Sequence, residues 1–272
     1  MALVAALALI AAPTLAGSAE HDIAAPTCES ELTGVLSCVD VFRKGEPAPG
    51  RVTPNNNWRI PGLLWADGVL FAFVEQYTRD CHPEWNPFKA IAMKRSSTGG
   101  RSFSNVSIVA NPKTLWDEAD NSSLWDPTPT YDAHTKQIFL AFSRMHGRPG
   151  LGLPHCTHGE SGCRDLWMMR SDDMGESFGD LTNVTAQIGW PALGSGISLT
   201  AAGGSGIQLP SGRLVVPVYS GHTDTVIPSD PSRVGSAVLL SDDHGKVRSH
   251  STTTTTPQWR LTSSAAVART GA

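Results

Sequence analysis

Leu166-Trp167-Met168-Met169-Arg170-Ser171-Asp172-Asp173-Met174-Gly175-Glu176-Ser177-Phe178 is a short apolar strand that runs into a turn of the form S-x-D-x-G-x-S-F. The pattern returns twice. Ala90-Ile91-Ala92-Met93 leads through Lys94-Arg95 to Ser96-Ser97-Thr98-Gly99-Gly100-Arg101-Ser102-Phe103, and Ala237-Val238-Leu239-Leu240 leads to Ser241-Asp242-Asp243-His244-Gly245. The third positions of the turns, 98, 173 and 243, recur at intervals of 75 and 70 residues. The physical basis is local. A carboxylate at the third position accepts backbone N–H groups inside a tight turn, the glycine takes a backbone angle that other residues avoid, and the closing aromatic anchors the hairpin on its sheet. Thr98 puts a hydroxyl in place of the carboxylate, and after Gly245 the chain continues Lys246-Val247-Arg248 with no aromatic. A strand-turn unit repeated at this interval predicts a radially repeated all-β fold. Ser171, Asp173, Gly175, Ser241, Asp243 and Gly245 are then markers of the fold, not a site.

Between the repeats, residues 127–132 lead by a polar turn to residues 137–142, and residues 203–212 lead to residues 213–219 in the same way. No stretch keeps a helical period over three turns. Residues 63–74 form an apolar run with the look of a buried strand, residues 75–87 read as a polar loop, and Lys89-Ala90-Ile91-Ala92-Met93 reads as a short strand. The apolar run opens on Trp58-Arg59-Ile60-Pro61. An arginine against a rigid X-Pro step at the head of a buried strand makes sense if its guanidinium points out of the sheet at an anion. The alternative is an arginine on a loop just before the strand.

The chain of 272 residues has room for one large domain or two ordinary ones. Its 26 glycines and 19 prolines suit many turns and few long helices. A net charge of −4 gives no basis for a nucleic-acid or anionic-membrane partner. Residues 2–16 are almost wholly apolar and precede Gly17-Ser18-Ala19-Glu20, so residues 1–19 are expected to be a signal peptide, too short for a comfortable membrane span. Residues 20–56 are polar and irregular. Three N-x-[ST] sequons, at Asn105, Asn121 and Asn183, fit an oxidising compartment. So do two close cysteine pairs, Cys28/Cys38 and Cys156/Cys163, which point to local disulfides and leave Cys81 over. His155 and His158 lie among the second pair, so zinc is the alternative there, with the disulfide preferred in a loop rich in glycine and proline. Residues 247–272 contain a threonine run and then no pattern, and read as a low-complexity or out-of-frame tail.

These residues together resemble one family. Trp58-Arg59-Ile60-Pro61 resembles the [FYW]-R-I-P motif of the sialidases (neuraminidases), and the three turns resemble their Asp boxes. Ser205-Gly206-Ile207-Gln208 through Gly212-Arg213-Leu214 resembles their G-x-G-I-Q…G-R-L stretch. Residues 237–245 and the Cys156…Cys163 pair are similar to animal lysosomal sialidases. The resemblance covers about residues 57–246. It implies a six-bladed β-propeller of the sialidase type, of which about three blades fall in this chain. It implies exo-α-sialidase activity, the release of terminal sialic acid from glycoproteins, glycolipids or oligosaccharides. The expected setting is secreted or lysosomal, with no cofactor and membrane contact only through substrate; no metal is required, calcium occurs in some members of the family, and no site for it is readable in this sequence.

The family's chemistry has a physical logic. Sialic acid carries a carboxylate on its anomeric carbon, and three arginines bind it. That anion would repel a carboxylate nucleophile, so a tyrosine assisted by a glutamate attacks while an aspartate serves as acid/base. Arg59 matches the first of the three arginines. The loop after residues 70–74 is where the family places the acid/base and a further arginine, and it opens there with Glu-x-Arg. This chain has Glu75-Gln76-Tyr77, so Asp80 is the candidate acid/base and Arg79 the candidate second cation, with Glu84 a poorer acid. Asp126 and Asp132 read as residues bonding their own turns, and Tyr219 and residues 204–206 as cavity wall. The other two arginines, the glutamate and the nucleophilic tyrosine belong beyond residue 246, where the pattern stops. The chain is therefore expected to be the N-terminal half of a sialidase and inactive alone. The alternative is a non-catalytic sialic-acid-binding module that keeps Arg59.

Overall fold

Apolar segments punctuated by glycine and aspartate turns fold as three antiparallel meanders. The computed structural model describes residues 39–49, 56–77, 89–116, 122–145, 164–188, 197–222, 234–245 and 260–263. The first sheet is β1 (Asn57–Ala66), β2 (Val69–Tyr77), β3 (Lys89–Ser96) and β4 (Ser107–Ala110), paired in chain order. The second repeats that order with β5 (Ser123–Asp132), β6 (Gln137–Met145), β7 (Arg164–Ser171) and β8 (Gly179–Asn183). In the third, β9 (Ile197–Ala201) and β10 (Ile207–Gln208) both pair with β11 (Leu214–His222), followed by β12 (Val234–Ser241) and β13 (Arg260–Ser263). The described helices are two single turns, α1 (Pro112–Leu115) and α2 (Val184–Gln187), each capped by an asparagine side chain, Asn111 and Asn183.

Three sequence-based expectations change. The run at 63–74 is a hairpin, not one strand. Asp67 and Gly68 take φ of 43° and 85° and join β1 to β2. An Asp-Gly pair between apolar segments is the signal for such a two-residue turn. Glu75, Gln76 and Tyr77 do not open a loop. They continue β2 and pair with Ile91, Ala90 and Lys89. Residues 260–263, inside the stretch that reads as a tail, form the fourth strand of the third sheet by pairing with β12. A ladder of backbone hydrogen bonds holds that strand, and such pairing leaves little trace in side-chain pattern. Cys28, Cys38, Cys81, Cys156 and Cys163 lie outside the described residues, as do residues 1–19.

The core sits between neighbouring sheets. Phe71, Phe73, Ile91 and Met93 of the first pack with Leu124, Ile138, Leu140, Phe142 and Met169 of the second. Phe139, Ala141, Leu166 and Met168 of the second pack with Leu199, Leu214, Val216, Val218 and Leu239 of the third. Each large side chain taken fully from water contributes about 1.5–3 kcal/mol, so the inter-sheet seams carry the stability.

The three repeated turns occupy one structural position, between the third and fourth strands of each sheet. In each the serine hydroxyl accepts the glycine N–H, at 2.9 Å for Ser96 and Gly100, 2.8 Å for Ser171 and Gly175, and 2.8 Å for Ser241 and Gly245. Asp173 receives the hydroxyl of Ser171 and both the N–H and hydroxyl of Ser177. Thr98 does part of this work with a hydroxyl, accepting the Ser102 N–H at 3.0 Å. The closing aromatic Phe178 packs edge-on against Phe73 with ring centroids 6.1 Å apart. The glycines also pack sheet on sheet. A Cβ on Gly175 would stand 2.8 Å from the ring of Phe71, and one on Gly245 would stand 2.6 Å from Phe139. Phe71 lies opposite Arg95 and Phe139 opposite Arg170, so the two rings hold equivalent places in successive sheets.

Candidate functional site

A meander puts its first and third turns at one end and its second turn at the other. The box turns and Asp67-Gly68 therefore mark one end of the sheets. The start of β1, the end of β2 and the start of β3 share the opposite end, and Arg59, Glu75 and Lys89 lie there.

The backbone prepares this end in the same way twice. In β1, Ile60 takes φ of 50° ahead of Pro61, and the register slips between Arg59 and Gly62. In β5, Asp126 takes φ of 56° ahead of Pro127, and the register slips between Trp125 and Thr128. Positive φ is uncommon for non-glycine residues and strained for a β-branched isoleucine. The proline that follows has no N–H to add to the ladder, which suits a bulge. In the third sheet Gly203 and Gly204, at φ of 69° and 93°, stand between β9 and β10 instead. Segments of the three sheets meet here. A Cβ on Gly62 would lie 2.6 Å from the Gly204 carbonyl and 2.8 Å from that of Pro127, and the Gly206 N–H donates to Pro129 O at 2.9 Å.

Three cross-strand pairs sit at matching places beside these irregularities: Arg59 opposite Glu75, Trp125 opposite Ser143, and Thr200 opposite Tyr219. Together with Lys89 and Asp126 they bring charge and aromatic surface into one cluster. The Glu75 carboxylate is the hub. Its Oε2 lies 3.1 Å from Lys89 Nζ and 3.5 Å from Arg59 Nε, and its Oε1 accepts the Asp126 N–H at 2.9 Å. Lys89 Nζ stands 2.9 Å from the centre of the Trp125 ring, and the Arg59 guanidinium 5.8 Å from it. The side chains of Glu75 and Lys89 are wholly buried, whereas Arg59 keeps 21 % exposure. Asp126 Oδ2 accepts the Tyr219 hydroxyl at 3.3 Å. The buried Trp125 indole N–H has no acceptor among the described residues.

The electrostatics follow from burial and neighbours. Burial pushes the Glu75 carboxyl up, opposed by the charge of Lys89, the Asp126 N–H and the charge of Arg59. Burial, and then the negative charge of Glu75, push Asp126 up to about 7, against Lys89, the Tyr219 hydroxyl and Arg59. A fixed guanidinium backed by a buried carboxylate, beside an aromatic wall and polar groups, is suited to hold a planar anion such as a carboxylate. Among the described residues, no cluster of His, Cys, Asp or Glu has metal-holding geometry.

Arg59 lies in β1 just before the bulge, with its Nε beside Glu75. Asp126 is a correction: it does not simply bond its own turn, because the bulge turns its carboxyl toward Tyr219 in the cluster. Asp132 does bond its own turn, through the His134 and Thr135 N–H groups. It also ties the second sheet to the third by accepting from Gln208 at 2.6 Å and pairing with His244 Nδ1 at 2.7 Å, at the box end. Burial pushes Asp132 up, and these donors more than offset it, leaving the carboxyl below its ordinary value. The Tyr219 hydroxyl donates to Asp126. Arg79, Asp80 and Glu84 lie outside the described residues. The sequence reading missed Glu75 and Lys89 as site residues. The available signal was a glutamate directly after Phe71-Ala72-Phe73-Val74 and a lysine directly before Ala90-Ile91-Ala92-Met93, two opposite charges at the ends of adjacent apolar strands.

Comparison with known proteins bears on this geometry. The BNR repeat-like domain family matches residues 60–265. Sialidase-4 of Homo sapiens is 29% identical over 198 residues, covering 70% of this chain and 38% of that protein. Sialidase-3 of Mus musculus is 25% identical over 209 residues, covering 71% and 45%. Among solved structures, Trypanosoma rangeli sialidase in complex with sialic acid aligns with a TM-score of 0.58 at 18% identity, covering 83% of this chain and 34% of that one. The chain thus spans about two fifths of the length of the curated relatives it matches. The likeness to the solved structure is one of fold. With the BNR match running through all three sheets and the curated relatives agreeing, this chain is a BNR repeat-like protein of the sialidase family.

Proposed function

We propose that this chain carries the first part of an exo-α-sialidase site, which recognises terminal sialic acid on glycoproteins, glycolipids or oligosaccharides. The carrying observation is the Arg59 guanidinium, held by its Nε on buried Glu75 while part of the side chain stays exposed. A related fold is known in complex with sialic acid, which supports a sugar carboxylate as the anion. In this reading the three sheets are three blades of a six-bladed propeller. Asp80 is the acid/base and Arg79 a further substrate-binding cation. The remaining arginines, a glutamate and the nucleophilic tyrosine come from sequence of the kind the family carries after its third blade. The reaction calls for no metal or cofactor, and the protein acts in the secretory pathway, secreted or lysosomal.

The test uses the 272-residue chain with sialyllactose, following binding by calorimetry and free sialic acid by chromatography. Saturable binding of sialyllactose, with lactose inert and no sialic acid released, is the expected result. Equal binding of lactose and sialyllactose, or no binding of either, contradicts the assignment. Arg59-dependent release of sialic acid would show instead that the chain is catalytically complete.

A further inference from the structure

We propose that Lys89 is a positioning residue of the anion site, the cation that pairs with Glu75 and keeps that carboxylate from cancelling the charge of Arg59. The inference rests on the sialic-acid reading. Lys89 lies directly across the sheet from Tyr77, the position at which the family resemblance implies an arginine. Opposite residues of an antiparallel pair share a face. Asn57 pairs with Tyr77 and Arg59 with Glu75, so Arg59, Glu75, Tyr77 and Lys89 are on one face at one end of the first sheet.

The distances assign the role. Lys89 Nζ is 3.1 Å from Glu75 Oε2, whereas Arg59 Nε is 3.5 Å from the same oxygen. Among the charges acting on Glu75, Lys89 opposes the effect of burial most strongly. The ammonium also rests on the Trp125 face, where the ring quadrupole favours a cation. A buried Lys–Glu pair is a poor way to gain stability, since apolar residues of the same volume often do as well. A pair placed behind an exposed arginine has an electrostatic use instead. One carboxylate orients Arg59, and the second cation restores the positive potential that this carboxylate takes away. The lysine is fully buried, so it acts through Glu75 and through its field rather than by touching the ligand.

The test compares wild type with Lys89→Met, which keeps an unbranched apolar chain and removes the charge, and with the double variant Lys89→Met/Glu75→Gln. Binding of N-acetylneuraminic acid and of its methyl ester is measured, with thermal unfolding as a check on folding. Lys89→Met is expected to weaken binding of the free acid about tenfold, the scale of one nearby unit charge at a partly screened site, and to leave the ester unchanged. The double variant is expected to regain most of the loss. In parallel, the Lys89 side-chain NMR signal of wild type is followed during titration. It is expected to move with the free acid and not with the ester, which keeps the proposal testable if the variants do not fold. If wild type discriminates acid from ester but the Lys89 signal stays still, the proposal is overturned. The same holds if Lys89→Met binds the acid as wild type does, or loses acid and ester alike. If wild type does not bind the free acid, the sialic-acid reading falls and this inference falls with it.

Discussion

The two ends of the sheets are built on opposite principles. At the box end, each repeated turn settles its own polarity within a few residues, as Asp173 is bonded by Ser171 and Ser177, while Asp132 joins two sheets there through Gln208 and His244. The serine donors hold the Asp173 carboxyl down to about 2. At the other end Arg59, Glu75, Lys89 and Asp126 come from four strands, and no two of them are neighbours in the chain. Asp126 there is pushed up to about 7 by burial first and by Glu75 second. The Asp173 turn is locally satisfied and prefers its carboxylate ionised. The opposite end concentrates buried charge and prefers a carboxylate protonated. The first pattern holds a fold together, and the second is the one the proposed function uses for binding.

The largest expected effect lies at the charged end. Glu75→Leu leaves Lys89 and Arg59 without their shared carboxylate and is expected to cost about 3–5 kcal/mol in chemical denaturation. A loss below about 1 kcal/mol would mean that the cluster is solvated and the contrast between the ends is overdrawn.

Next comes pH, where the ends should respond with opposite sign. Asp126 has a folded-state value raised from 3.8 to about 7. Its stabilising contribution is full below about pH 4 and declines as pH rises through 7, by on the order of 4 kcal/mol at most. Asp126→Asn should flatten stability across that window. Asp173 has a lowered value, so its contribution is full above about pH 4 and is lost as pH falls through about 2. Asp173→Asn should remove a loss on the acid side and leave the window from about 4 to 7 alone. If both variants alter the same window, the separation of the two ends is wrong.

Glycines sharpen the comparison within the box end. Gly68 has φ of 85° and open space within 4 Å of where a Cβ would stand, whereas Gly175 has φ of 79° and the Phe71 ring at 2.8 Å. Gly68→Ala should cost about 1 kcal/mol by backbone strain alone. Gly175→Ala should cost roughly 1–3 kcal/mol more, because ring and sheet must move as well. Equal costs would remove the packing role of the box glycine. The smallest effect is expected for Thr98→Asp, which gives the first turn the carboxylate of its siblings and should raise the melting temperature slightly.

The same contrast explains what was legible in the sequence. The box turns could be found because a serine, an acid or hydroxyl and a glycine bond one another at spacings of two and four. The matched X-Pro bulges at Ile60-Pro61 and Asp126-Pro127 were not legible, because only pairing register shows them to be equivalent. The Arg59 motif was legible as a motif. Its partners were not, since Glu75 and Lys89 resemble ordinary strand-end charges until the hairpin at Asp67-Gly68 and the β2–β3 register bring them together. Strand β13 was hidden for a related reason: it is recognised by its pairing with β12.

The central claim is that the Arg59 end holds the carboxylate of a sialic acid. The most direct measurement is calorimetric titration of wild type and Arg59→Met with N-acetylneuraminic acid and with its methyl ester. Wild type should prefer the free acid by about tenfold or more, and Arg59→Met should lose that preference while remaining folded. If wild type binds acid and ester equally, or if the preference survives without Arg59, the anion site is elsewhere and the account is wrong.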